Sequence, residues 1–382
     1  MSVKTDNRPA DLHPLLRMRY SPRAFSPASL TPAQIQRIFE AGQWSASCFN
    51  AQPWRFEVDG GELRLVLDET RLSPLDDPDQ RFAQMSLGAS LENLLVAARA
   101  WGQQPEVRYL PWGSSPRPGA SLVAATVSWT PGERAHDRAL FAAIPERRSN
   151  PYGFDGRAIP AESRNQLLAQ VGEEVRVHWL EDRTDLRAVG ELVHDAIELV
   201  QGDRRAQAER LRWLRDSDRD ARTHGDGMTA ERLGLGGPAR WFAGHSLQPR
   251  SLFYGWGASS LAKDVRELVR GSGALALLTL PARSAAGWIV GGQAYERLAL
   301  RATSLGLAQH PLAAPIQSER HRGLIARRFQ AEGEEPLLLQ EALDAIRAAA
   351  RTARASATIR GTRVRLEPMY LITSRISPVR AG

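Results

Sequence analysis

The chain has 382 residues, 42% of them hydrophobic, which is enough for two or three domains and too apolar for global disorder. Its formal net charge is +7, yet only Lys4 and Lys263 of its 50 basic residues are lysines, and the arginines stand among acids, as at Asp203-Arg204-Arg205. That pattern reads as a solvated, arginine-biased surface rather than a nucleic-acid-binding tail. The single cysteine rules out an internal disulfide. No apolar run approaches the roughly 20 residues that cross a bilayer, and the first residues, with Asp6, Arg8, Asp11 and His13, are not expected to act as a secretory signal. A cytoplasmic protein with neither a membrane nor a nucleic-acid partner is expected.

Along the chain, Arg19-Tyr20-Ser21-Pro22-Arg23-Ala24-Phe25 precedes a helix start at Thr31-Pro32-Ala33-Gln34. There Thr31 can cap, Pro32 fits the first turn and Gln34 closes a capping box. Next comes Ser47-Cys48-Phe49-Asn50-Ala51-Gln52-Pro53-Trp54, which gathers small hydroxyl and thiol side chains, two amides, a proline and a tryptophan. Small residues let backbone N–H groups approach a ring edge, and carboxamides offer donors and acceptors in one plane. The mixture suits a flat polar heterocycle better than a metal or a nucleophile. Strands at Arg55–Asp59 and Leu63–Asp68 flank the turn signal Gly60-Gly61. A helix from Gly88 to Gly102 and a central strand at Leu122–Trp129 follow.

Arg147-Arg148-Ser149-Asn150-Pro151-Tyr152-Gly153-Phe154 repeats the first arginine motif and precedes a proline-led helix from Pro160. An amphipathic helix near Leu186–Val200 leads into a charged stretch carrying Trp213, Trp241 and Trp256 among Gly225, Gly227, Gly236 and Gly237. A buried strand at Ala274–Leu280, a helix from Gly292 to Gly306 and a last strand at Met369–Thr373 complete the pattern.

The two glycine-bounded helices align without gaps: Gly88/Gly292, Glu92/Glu296, Leu94/Leu298, Ala98/Ala302 and Gly102/Gly306 are identical. Each ends on a glycine able to take the left-handed cap conformation. The arginine motifs stand 128 residues apart and the helices 204, so about 76 extra residues lie in the second copy. The mixed order of helices and strands therefore favours α+β layers, in two fused copies. Domain 1 covers residues 1–135 and carries the 47–54 segment. Domain 2 covers 136–382 and contains an insertion of about 202–260, which is either a lid or a packing arm.

Segment 47–54, the Arg-x-Ser motifs and the tandem plan resemble the FMN-dependent nitroreductase family, in particular its tandem-domain, Acg-type branch. The resemblance implies two fused domains forming a pseudo-dimer of mainly antiparallel sheets flanked by helices, with a flavin held between the two halves and Ser47, Asn50 and Gln52 meeting its ring from the first copy. It implies that Arg147, Arg148 and Ser149 lie near the phosphate, the Gly306–Leu312 loop near the ring, and Arg375 or Arg380 at the phosphate clamp. The rival phosphate set is Arg19, Ser21 and Arg23, which matches the family's Arg-x-Ser-x-Arg pattern better, since Pro151 replaces the second basic residue in the other motif. The implied activity is reduction of a nitroaromatic, quinone or similar flat acceptor with NAD(P)H, one FMN per chain and no metal. The alternative is a low-turnover protein that sequesters FMN under a lid. A monomeric pseudo-dimer or weak homo-oligomer is implied.

Other residues have simpler readings. Cys48 reads as a buried thiol in place of serine, His310 as a structural histidine and Trp54 as hairpin core. There is no His-Glu-x-x-His and no cysteine pair for a metal. Gly244-His245-Ser246-Leu247-Gln248 lacks the last glycine of a nucleophile elbow, and Gly255-Trp256-Gly257 lacks the third glycine of a dinucleotide loop. No side-chain nucleophile is needed, because a flavin carries the hydride.

Overall fold

Helix Pro32–Gln43 begins as its sequence demands: Thr31 Oγ1 accepts from Gln34 N, and the Gln34 side chain accepts from Thr31 N at 2.8 Å. The computed structural model describes residues 31–59, 62–114, 121–132, 138–151, 154, 156–215, 217–229 and 254–344. Arg19, Ser21, Arg23, Arg375, Arg380 and the expected strand Met369–Thr373 lie outside the described residues.

The architecture is α+β. Strands β1 (Trp54–Asp59) and β2 (Glu62–Leu67) form an antiparallel hairpin. Helix Arg81–Ala100 follows, then β3 (Gln103–Tyr109) and β4 (Val123–Pro131), giving a first sheet of order β1-β2-β4-β3. In the second half, helix Ala161–Leu168 leads into β5 (Arg176–Leu180). Two short parallel strands come next, β6 (Leu214–Arg215) and β7 (Met228–Thr229). Strand β8 (Ala274–Leu280), helix Gly287–Ser304, β9 (Leu307–Leu312) and β10 (Glu335–Asp344) then complete a second sheet of order β5-β8-β10-β9. Both sheets are antiparallel throughout, and each inserts its long helix between the second and third strands in chain order. The two orders are the same. The residues between β5 and β8 stand where the first sheet has only positions 60–61 between its first two strands.

The long helices are buried nearly all round, as their Ala, Gly and Leu content requires. They cross at their paired glycines. A Cβ on Gly88 would stand 1.9 Å from Ile289 O, and one on Gly292 would stand 2.0 Å from Met85 O. The backbones therefore touch where no side chain fits. Each helix lends residues to the other half: Ile289 and Leu300 join the core of Leu63, Leu65, Leu91 and Val127, while Phe82 and Met85 join that of Leu275, Leu277, Leu298 and Leu339. Both helices end as expected on left-handed glycines, Gly102 at φ 74° and Gly306 at φ 70°.

Two expectations need correction. Gly306–Leu312 is not a loop: Leu307–Leu312 is the edge strand β9, paired from Leu312↔Leu339 to Leu307↔Asp344. Its apolar residues at 307 and 312 are buried, which a surface loop would not allow. Pro160 is the N-cap of helix Ala161–Leu168 rather than its first helical residue.

The interval after β5 runs through helix Arg183–Gly202, capped by Asp182, and helix Arg204–Leu211, capped by Asp203. It continues through β6, helix Asp218–His224 and β7, and returns by helix Tyr254–Gly271. Helices 183–202 and 254–271 pack together through Leu186, Val189, Val193, Ala262 and Val269. Residues 203–229 form an arm that reaches across to the first half. Among the described residues, no helix is long and apolar enough to cross a membrane.

Glu341, within β10, is wholly buried, and neither carboxylate oxygen meets a hydrogen-bond partner among the described residues. Burial holds its pKa well above the usual glutamate range, with the nearby Ser272 hydroxyl pulling the other way. A raised folded-state pKa means the group favours folding below about pH 4.5 and opposes it as pH rises through the folded value. Glu341→Met is therefore expected to stabilise the protein by about 2 kcal/mol at pH 8. The gain should shrink toward acid pH, as measured by urea unfolding. An equal effect at pH 4 and pH 8 would exclude the charge as its source.

Candidate functional site

Segment 47–54 bridges helix 32–43 and β1 with an unusual backbone. Cys48–Asn50 is a single 3₁₀ turn, and Phe49, Asn50 and Gln52 have φ of 53°, 54° and 52°. Left-handed conformations at non-glycine residues cost on the order of 1 kcal/mol each, so neighbours must hold them. Ser47 Oγ accepts from Gln52 N at 3.1 Å, closing the turn on itself. Trp54 is buried in the first core, as its simple reading held.

The turn directs the Asn50 and Gln52 amides onto the arm. Asn50 Nδ2 donates to Gly227 O at 2.9 Å, and Gly227 N donates back to Asn50 O at 3.1 Å. Gln52 Nε2 donates to Gly225 O at 2.7 Å. Between the glycines, Asp226 pairs with Arg71 at 3.0 Å and with Arg215, while Arg71 also donates to Ala51 O at 2.7 Å. Farther back, Arg210 Nε meets Asp76 Oδ1 at 2.5 Å and Glu209 Oε2 accepts from Leu75 N and Asp76 N. Trp213 Nε1 reaches Ser73 Oγ at 3.2 Å.

A carboxylate group of side chains lies behind the turn. Burial raises the pKa of Asp76, with Arg210 opposing it. Burial also pushes Asp77 up to about 6, although it accepts from Phe82 N and Ala83 N at the start of helix 81–100. The Cys48 thiol is pushed up by burial first and then by Asp76 and Asp77. It therefore stays a protonated thiol, on a residue that is half-buried rather than fully buried as expected.

On the other side, the segment's base meets the second half. Glu296, wholly buried, accepts from Ala46 N at 3.4 Å and lies 3.3 Å from Arg147 Nε. Burial raises the Glu296 pKa, and the Arg147 charge is the largest influence lowering it. Glu92, at the matching place in helix 81–100, is held by Arg297 at 2.6 Å, Arg99 at 3.5 Å and Gln293 at 3.0 Å. Ala46 and Cys48 pack against the second core, which includes Leu312.

The structure thus brings Arg147 and the base of the 47–54 segment together on Glu296. Arg148 is exposed, its guanidinium donating to Pro145 O and Arg147 O, and Ser149 is exposed beside it. Asn150 fixes this stretch to β9, its N–H donating to Gln309 O and its carbonyl accepting from His310 Nδ1 at 2.9 Å. Burial lowers the His310 pKa, so the ring is neutral and structural. Leu312 lies in the core. Sequence reasoning missed Arg71, Asp226, Arg215 and the position of Glu296. A glutamate fixed at the same place in two otherwise Ala- and Leu-rich helices was the available signal for Glu296 and Glu92.

Do these residues fit a flavin mononucleotide? The exposed Arg148 and Ser149 offer donors suited to a phosphate. The Asn50 and Gln52 amides suit the carbonyls of a ring edge, but here they bond to Gly225 and Gly227. The donor set fits the group, with the arm displaced from the amides.

Residues 16–75 match the family model described as Nitroreductase family. That stretch contains Arg19, Ser21, Arg23 and all of segment 47–54. The chain is also 26% identical over 309 residues to Mycobacterium tuberculosis proteins of strains CDC 1551 and H37Rv, both named "Putative NAD(P)H nitroreductase". The match covers 80% of this chain and 84% of theirs. Among solved structures, an FMN-dependent nitroreductase from Mycobacterium smegmatis in complex with NADPH aligns at 16% identity and TM-score 0.36, covering 59% of this chain and 99% of that one. An FMN-bound nitroreductase from Bacteroides fragilis aligns at 14% identity and TM-score 0.31, covering 61% and 98%.

Proposed function

We propose that this protein is an FMN-dependent oxidoreductase that takes reducing equivalents from NAD(P)H and passes them to a flat, electron-poor acceptor such as a nitroaromatic or a quinone. The observation that carries the reading is the family match over residues 16–75, which spans both an Arg-x-Ser-x-Arg motif and the ring-binding segment. The similarity to the mycobacterial proteins, which extends over both halves, supports it. The equal strand order of the two sheets and the glycine crossing support a tandem duplication, divided at 1–135 and 136–382, that acts as its own dimer.

Bound between the halves, FMN would supply hydride and electron transfer. The chain's own residues bind and orient. Ser47 shapes the turn that presents Asn50 and Gln52 to the ring. Arg148 and Ser149, with Arg19, Ser21 and Arg23 or with Arg375, hold the phosphate. Glu296 fixes Arg147 and the Ala46 N–H, setting the position of the segment relative to the second half.

A second reading is favoured by the arm. Its reach across to the first half, through Asp226 to Arg71 and Trp213 to Ser73, suits a protein that holds FMN with little turnover, the insertion shutting out NAD(P)H. One experiment separates the two. FMN-loaded protein is mixed anaerobically with NADPH or NADH, and then with menadione. The oxidoreductase reading expects prompt loss of the yellow absorbance and its return with the quinone. Bound flavin that stays yellow with both nucleotides would leave only the sequestering role.

A further inference from the structure

The contacts between the arm and the turn have a definite chemical pattern. Gln52 Nε2 donates to Gly225 O at 2.7 Å, Asn50 Nδ2 donates to Gly227 O at 2.9 Å, and Gly227 N donates to Asn50 O at 3.1 Å. The arm therefore shows these two residues a carbonyl, an N–H and a second carbonyl. A cyclic imide shows the same groups along one edge: C=O, N–H, C=O. The pyrimidine part of a flavin carries such an edge, and quinones and nitro groups do not.

The fit is built from both sides. Phe49, Asn50 and Gln52 are all held at positive φ, which places the Asn50 carbonyl and both amides on the arm. Asp226, its side chain 11% exposed, ties the arm to Arg71 of the first half and is held within the arm by Arg215. Gly227 has φ +77°, and a Cβ there would lie 2.6 Å from Trp213 O, so only glycine lets this stretch pack on Trp213 and Arg215 within the arm. A flavin edge seated on Asn50 and Gln52 would need the donors of both amides. Here the arm itself takes those bonds.

We propose that residues 225–227 act as an internal stand-in for a cyclic imide, so that docking of the arm and binding of the flavin's imide edge at Asn50 and Gln52 exclude each other. The proposal rests on the flavin reading above. It assigns Asn50 and Gln52 to the imide edge and makes the arm a competitor of the cofactor rather than a lid upon it.

Competition and covering predict opposite signs. If the arm competes, apparent affinity is reduced by the fraction of molecules with the arm docked. The full chain, stripped of flavin, is titrated with FMN by fluorescence quenching, alongside Asp226→Asn and Gly227→Ala. Both variants are expected to bind FMN about tenfold more tightly, loss of the two Asp226 ion pairs or strain at residue 227 being enough to shift the arm. Unchanged or weaker binding in both would overturn the proposal. Hydrogen exchange on the unaltered protein decides the matter if a variant fails to fold: saturating FMN should speed exchange at Gly227 and across residues 218–229, and protection there would contradict it. FMN methylated at N3 has lost the imide donor and should bind the unaltered protein roughly tenfold more weakly; equal affinity would overturn the imide assignment. Should none of the three proteins bind FMN, the flavin reading itself falls, and this proposal with it.

Discussion

Replacing Gly292 with alanine should lower the unfolding free energy by about 3 kcal/mol or more, far more than a helix-interior alanine for glycine ordinarily costs. On propensity alone alanine is the better helix former, by roughly 1 kcal/mol. The crossing reverses that sign. The new Cβ would stand 2.0 Å from Met85 O and 2.7 Å from Met85 C, both main-chain atoms that no rotamer change can move. Helices 81–100 and 287–304 must then separate, loosening two cores that exchange Ile289, Leu300, Phe82 and Met85. Gly88→Ala faces Ile289 O at 1.9 Å and should behave alike. Gly306→Ala is the control: nothing lies within 4 Å of its Cβ, so only the left-handed φ of 70° is strained, at about 1–2 kcal/mol. Urea unfolding at neutral pH ranks the three. A Gly292→Ala protein within about 0.5 kcal/mol of the parent would mean that the helices do not meet as described.

Arg147→Met is expected to cost about 3–5 kcal/mol at neutral pH, because it leaves Glu296 buried without its cation. The sign with pH follows from linkage. Burial already holds the folded-state pKa of Glu296 above the usual 4.5, and Arg147 is the main influence pulling it back. Removing the arginine raises that pKa further. The variant should therefore approach the parent below about pH 4.5, where the carboxyl is protonated folded or unfolded, and fall away as pH rises. Adding Glu296→Leu should recover much of the loss, since a buried pair replaced by apolar groups is often neutral. Denaturant unfolding from pH 4 to pH 8 tests the pattern without any cofactor. If Arg147 serves as a phosphate ligand alone, the flavin-free variant will be as stable as the parent at every pH, and only FMN affinity will fall.

Much of the fold can be read from the chain because its signals are local. The Thr31–Gln34 box, the 55–59/63–67 hairpin, the apolar run at 274–280 and the helix-ending glycines at 102 and 306 each depend on neighbours within a few residues. The paired helices were legible through repetition: two glycines and two glutamates at equal places mark a shared environment. Segment 47–54 stood out by composition. What escaped was tertiary. Nothing near Gly225 or Gly227 says that their carbonyls meet amides 173 and 177 residues away. Asp226 looks like any surface acid until Arg71 and Arg215 close on it. The residues after Gly306 lack regular alternation, with Pro311 inside, so they read as a loop. They form an edge strand because β10 offers its whole length as a partner.

The most direct test of the flavin reading is the visible spectrum of the purified chain, with or without added FMN, and the flavin released from it on denaturation. The account predicts a yellow protein carrying one FMN per chain. A colourless protein that takes up no FMN when it is supplied would contradict it.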